Sequence, residues 1–111
     1  MNIDQAGGVL LAPGMDRILD TLSKRQRRLV LLGLRSGEIT SLSDGIVRGR
    51  GETETVQLEL VHNHLPKLEE AGYIEWDQDT GEISRGPRFH EIEPLLELLE
   101  NHADELPPDW P

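Results

Sequence analysis

The chain has no cysteine. Disulfides, thiolate zinc sites and cysteine nucleophiles are therefore excluded, and the composition suits a reducing cytoplasm. Aromatic residues are scarce, with two Trp, one Tyr and one Phe. A core must come mainly from Leu, Ile and Val. No apolar run approaches the roughly 18 residues of a membrane span, so no membrane partner is expected. Val9 to Ala12 is too short for a signal segment and lacks a basic flank. Positive charge is also short, at 11 Lys/Arg against 21 Asp/Glu, and only Lys24 and Lys67 are lysines. A carboxylate-rich, lysine-poor chain suits a salt-loving source, where self-repulsion is screened within about 3 Å at 1 M salt.

What remains is one domain's worth of chain, 111 residues with 36% hydrophobic content. Its charge is uneven. Residues 1–51 carry 8 basic and 5 acidic residues, net +3, and residues 52–111 carry 3 and 16, net -13. The positive charge gathers at Lys24, Arg25, Arg27 and Arg28, then at Arg48 and Arg50.

Residues 1–14 read as a flexible tail broken by Gly7, Gly8, Pro13 and Gly14. A helix over 15–22 places Ile18, Leu19 and Leu22 on one face. Ser23 with Gln26 three residues on has capping-box spacing. The second helix, over 24–35, has Leu29, Val30, Leu32 and Leu34 inward and Gly37 as its C-terminal glycine. A short strand over 38–40, a short helix over 41–47 and a glycine-rich loop over 48–54 follow. A long helix over about 53–71 carries Leu58, Val61, Leu65 and Leu68 at i, i+3, i+7, i+10. Gly72 ends it. Strands over 73–77 and 82–85 flank the loop "DQDTG", with Gly81 at positive φ. In the last helix, Ile92, Leu95, Leu96, Leu99 and Ala103 form a stripe, and Pro94 fits only the first turn. The tail over 107–111, "PPDWP", reads as irregular and flexible.

The class is mainly α with a small β-hairpin, α+β. The order helix, helix, strand, short helix, long helix, hairpin is that of a winged helix-turn-helix with an added C-terminal helix. In that architecture the long helix enters the major groove and the hairpin, the wing, lies on the DNA backbone. "LSKRQRRLVLLGL" followed by "HLPKLEEAGYIEWD" resembles the winged-helix domains common in haloarchaea, of mostly unassigned function and ArsR-like in their pattern. The pattern residues here are Val61, His62, Asn63, His64, Leu65, Leu68 and Gly72. The resemblance covers residues 16–85, within a domain over 15–86, and leaves the helix over 87–106 unmatched. It implies that Pro66 is habitual at its position. A proline there removes an N–H and crowds the His62 carbonyl, at about 3 kcal/mol in a regular helix. Either the outer half bends away from the core, or His62 lies on a solvated face with its carbonyl bound to water.

These features set the expected site. Thr55, Glu59, His62, Asn63 and Lys67 face double-stranded DNA, with Asn63 suited to adenine and Glu59 either accepting from cytosine or repelling phosphate. Lys24, Arg25, Arg27, Arg28, Arg48, Arg50 and Arg85 contact phosphate. The four charges of "SKRQRR" oppose the helix dipole at several tenths of a kcal/mol each, so either phosphate or the acids of the C-terminal half should hold them. Ile92, Leu95, Leu96, Leu98 and Leu99 make a stripe wide enough for a homodimer seam, the alternative being that the helix folds back onto Ile18, Leu19 and Leu22. His62 and His64 point to different helix faces. His90 and His102 with Glu91, Glu93 or Glu105 are the one metal alternative, across a dimer. No catalytic set, phosphate-binding loop or metal-hydrolase spacing is present, so neither enzyme nor cofactor is expected. The expected function is a cytoplasmic transcriptional regulator that binds DNA. The alternative is a winged-helix adaptor for a protein partner, favoured by the acidic C-terminal half and Glu59.

Overall fold

The computed structural model describes residues 14–37 and 54–111. The expected strand over 38–40, short helix over 41–47, nearly all of the loop over 48–54 and the tail up to residue 13 lie outside them. Helix α1 is Gly14–Leu22 and α2 is Arg25–Ser36. Helix α3 is made of Glu54–Glu59, a π turn Leu60–His64, and Leu65–Glu70. Strands β1 (Ile74–Trp76) and β2 (Ile83–Arg85) form an antiparallel hairpin. Helix α4 is Phe89–Asn101, followed by a 3₁₀ turn Ala103–Glu105. Among the described residues the fold is thus mostly helical with one two-stranded antiparallel hairpin.

The core gathers a stripe from each element. Ile18 and Leu22 come from α1, Val30, Leu31 and Leu34 from α2, and Leu60, Leu65 and Leu68 from α3. Tyr73, Ile74 and Ile83 come from the hairpin, and Phe89, Ile92 and Leu96 from α4. Leu31 is fully buried and Leu29 only partly, a one-residue change from the expected face of α2.

Pro66 finds its place through the π turn. The Leu65 N–H donates to the Leu60 carbonyl, five residues back. One extra residue is absorbed just before the ring would meet a carbonyl four back. The added residue rotates everything N-terminal to it by about 100° relative to a regular helix. Among the described side chains of this helix before Leu65, the buried ones are therefore Leu60 and His64. The expected Val61 is half-buried, and Leu58 is 57% exposed. The half after Pro66 does not bend away, because Leu65 and Leu68 stay buried.

The junction between α1 and α2 also departs from expectation. Ser23 does not cap α2. Its hydroxyl donates back to the Asp20 carbonyl at 2.6 Å, while Lys24 holds the N-cap position with no side-chain cap bond. Gln26 reaches no partner with Oε1, so no capping box forms.

The hairpin pairs Ile74 with Arg85, Glu75 with Ser84 and Trp76 with Ile83. Asp77 Oδ1 accepts from the N–H groups of Asp79 and Thr80, and Gly81 supplies φ +80° to close the turn. Gly86 then crosses the backbone after α3 so closely that a Cβ would lie 2.5 Å from the Gly72 carbonyl oxygen.

Three expectations about the C-terminus are corrected. Helix α4 starts at Phe89, so Pro94 lies beyond its first turn, at an exposed position. The missing N–H would have bonded the carbonyl of His90, itself an exposed residue. Ala103 is past the helix end and exposed. Residues 107–111 are not a loose tail, since Trp110 packs on the core and its N–H donates to the Pro107 carbonyl at 2.9 Å.

Candidate nucleic-acid interface

Helix α3 fastens one side to the core and leaves the other to solvent. Thr55, Glu59, His62, Asn63 and Lys67 are all exposed. The π turn adds Leu58 to the exposed residues of this helix, and Pro66, beyond the turn, is exposed as well. Leu58 was hidden from sequence reasoning, because the regular-helix wheel turns it inward. Its signal was the conflict between Pro66 and an unbroken helical stripe. Lys67 reaches across to α1, with Nζ 3.4 Å from Asp20 Oδ2.

The basic cluster divides into two pairs. Arg27 is buried and donates from Nε to the Thr21 carbonyl and from Nη2 to the Asp20 carbonyl, both at 2.9 Å. Arg28 donates from Nη1 to the Leu22 carbonyl at 2.8 Å. These are the orphan carbonyls at the C-terminus of α1. Cations that oppose the dipole of α2 thus lie on the favourable end of α1. Arg27 is therefore corrected from phosphate ligand to a buried cap between helices, and Arg28 caps α1 as well while remaining half-exposed. Burial pushes the Arg27 guanidinium below its ordinary value, and neighbouring Asp20 acts in the opposite direction. Lys24 is exposed and Arg25 half-exposed, and neither is held in an ion pair among the described residues.

Arg85 has a similar assignment. Its Nη2 donates to the carbonyls of Leu34 and Arg35 at 3.3 and 2.9 Å, capping α2 from the hairpin. It also stacks 4.7 Å from the Phe89 ring centroid and pairs with Glu93 at 3.5 Å. Arg85 is thereby a tie between β2, α2 and α4, at an exposed position. Arg48 and Arg50 lie outside the described residues. The rest of the hairpin is acidic, with Glu75, Asp77, Asp79 and Glu82 exposed.

Two titratable groups sit beneath this surface. His64 is buried with no partner for Nδ1. Burial, then the field of Arg27, pushes its pKa down, with Lys24 adding to this and Glu59 opposing it. Tyr73 is fully buried with an unpartnered hydroxyl, and burial pushes its pKa up.

In α4, Ile92 and Leu96 are fully buried within the chain. They are corrected from dimer seam to core. Leu95 and Leu99 are half-buried, and Leu98 is 51% exposed. The alternative in which α4 folds back is met in part, because Leu95 and Leu99 line a groove with Leu19 and Leu22. His102 Nδ1 lies 2.7 Å from Glu105 Oε1. Among the described residues no group of three or more His, Asp or Glu is placed to hold a metal. No helix among them is long and apolar enough to cross a membrane.

A family profile described as "Domain of unknown function (DUF7344)" matches residues 19–84. The match runs from within α1 to the second strand and stops before α4. No curated protein and no solved structure matches the chain significantly.

Proposed function

The chain belongs to the DUF7344 family, and from that premise we propose that it is a winged helix-turn-helix regulator of a halophilic archaeon, cytoplasmic and without catalytic activity, that binds double-stranded DNA. The observation that carries this reading is the outward side of α3. Thr55, His62, Asn63 and Lys67 stand exposed on a helix whose other side is locked into the core, with a hairpin following directly. Asn63 can bond adenine through both edge groups, His62 can donate to a base or phosphate, and Leu58 offers an apolar contact to a thymine methyl. Lys24 and Arg25, with Arg48 and Arg50, supply phosphate contacts. The acids at the hairpin tip exclude the close backbone contact that a basic wing would make. In this reading the wing stays off the phosphates.

Fluorescence anisotropy against duplex fragments at two salt concentrations tests the proposal. Binding should weaken with salt. Replacing both Lys24 and Arg25 by Ala should lower the slope of log K against log salt by up to about 1.8, at about 0.9 per phosphate. An unchanged slope removes both residues from the interface. A homodimer through α4 belongs to the same proposal, now resting on Leu98. Leu98→Asp should then convert a sedimenting dimer to monomer, and a monomeric parent would end it.

One observation favours a second reading, a protein-binding adaptor. Glu59 and the four hairpin acids make much of the outward surface negative. Absence of salt-dependent DNA binding, with an intact fold, would select it.

A further inference from the structure

Helix α1 shows an apolar row to solvent. Met15 and Leu19 are 54% and 53% exposed, and with Leu22 they follow i, i+4, i+7 on one face. Leu19 and Leu22 form one wall of a groove of about 380 Å³. Leu95 and Leu99 of α4 form the other, and Leu106, Pro107 and Trp110 close its end. The row therefore leads from the groove back through Met15 to Gly14, where residues 1–13 join the helix.

The sequence just ahead of that junction is apolar. Val9, Leu10, Leu11 and Ala12 make an unbroken run, and residues 5–14 carry no charge in a chain that is 29% charged. Pro13 steers Ala12 to extended backbone rather than helix. Leu11 and Leu10 precede Gly14 by three and four residues, a reach of up to about 10–14 Å. Leu19 lies about 7.5 Å beyond Gly14 along the helix axis. A chain that reverses at Pro13 thus carries both leucines to the groove. Neighbouring side chains of an extended chain point to opposite sides, which suits a groove with an apolar wall on either hand. The two charged residues lining it, Arg28 and Asp109, are of opposite sign, so an uncharged occupant meets no net field.

The family match supplies a separate observation. It spans residues 19–84, so Leu95, Leu99 and the closing residues 106–110 lie after it and the run 9–12 lies before it. The far wall of the groove and the run that fits it are both additions to the shared domain.

We propose that this groove takes residues 9–12 of the same chain as a strap, with Leu10 and Leu11 set against Leu19 on one wall and Leu95 and Leu99 on the other. A segment tethered beside its site acts at roughly millimolar effective concentration, which favours it over a second copy at micromolar concentration. Docked there, it clamps α4 to α1 and covers the apolar row. Leu98 lies outside the groove, so the strap neither needs nor blocks a dimer through that residue. It also stands whether or not α3 binds DNA.

The chain has no cysteine, so introduced pairs report without background. Leu11→Cys with Leu95→Cys is oxidised at micromolar protein, in the salt that keeps the protein folded. The reference is Leu11→Cys with Glu97→Cys, since Glu97 is exposed on α4 outside the groove. A disulfide within one chain should form at least about tenfold faster in the first pair, because docking raises the local thiol concentration. Equal rates overturn the strap. A product linked between two chains assigns the groove to a second copy and also overturns it. Should Leu95→Cys fail to fold, the full chain carrying Trp76→Phe decides, with Trp110 as its sole tryptophan. Adding Leu10→Asp and Leu11→Asp should then raise acrylamide quenching of Trp110 about twofold, and unchanged quenching overturns the proposal.

Discussion

Arg27 gives the sharpest test of how the basic cluster is used. Consider Arg27→Met, which keeps most of the buried stem and removes the guanidinium. Two hydrogen bonds of 2.9 Å to the Thr21 and Asp20 carbonyls are lost. Bonds from a charged donor contribute about 1.5–3 kcal/mol each. Against this, the substitution removes a cation from the N-terminus of α2, a gain of about 0.3–1 kcal/mol, and ends the desolvation of a charge. The net expectation is a loss of about 2–4 kcal/mol, within the range for breaking a buried network. The assay is denaturant unfolding followed by circular dichroism at fixed high salt, with Lys24→Ala/Arg25→Ala as reference. That double variant should stay within about 0.5 kcal/mol of the parent, as surface changes do. The reasoning is refuted if Arg27→Met leaves the midpoint unmoved while lowering affinity for every DNA sequence alike, since Arg27 would then be a phosphate contact.

Asn63→Ala should relax base preference at one position by about 1–3 kcal/mol, read by anisotropy over a set of single-base variants, and an equal loss on all of them removes Asn63 from base contact. Gly86→Ala should cost more than about 3 kcal/mol or prevent folding, because its Cβ would sit 2.5 Å from the Gly72 oxygen and 2.7 Å from the Ile74 nitrogen; a thermal midpoint near that of the parent would contradict the close crossing. His64 takes its proton less readily in the folded chain than in the unfolded one. Its contribution to stability is therefore full above the unfolded pKa of about 6.5 and is lost as pH falls from there through the lower folded value. His64→Leu should flatten that part of the profile, and parallel profiles for parent and variant below pH 6.5 would refute the assignment.

Much of the chain could be read directly, because local chemistry decides it. Gly37, Gly72 and Gly81 take positive φ at the three ends where the pattern breaks, and the two strands and their loop follow from alternation around "DQDTG". The outward placement of His62 and Asn63 was also legible. The phase of the first half of α3 was not, since a wheel presumes 3.6 residues per turn and the π turn breaks that rule between Leu60 and Leu65. The roles of Arg27, Arg28 and Arg85 were hidden for a different reason. A charged residue beside its own helix N-terminus reads as surface, while its partners are backbone carbonyls of other helices, which sequence does not mark. The docking of Trp110 is likewise tertiary, because the core it packs on comes from other elements.

The extra residue before Pro66 has a consequence for how this helix can change. Its two halves are separately adjustable, with the C-terminal half fixed by Leu65 and Leu68 and the N-terminal half aimed by the number of residues in the turn. Deleting one residue between Leu60 and His64 would swing Leu58 toward the interior and carry Thr55 and Glu59 about 100° around the axis. Such a change would re-aim the presented side chains without altering any of them. Chains of this architecture that gain or lose that residue would present different contact surfaces from nearly the same composition.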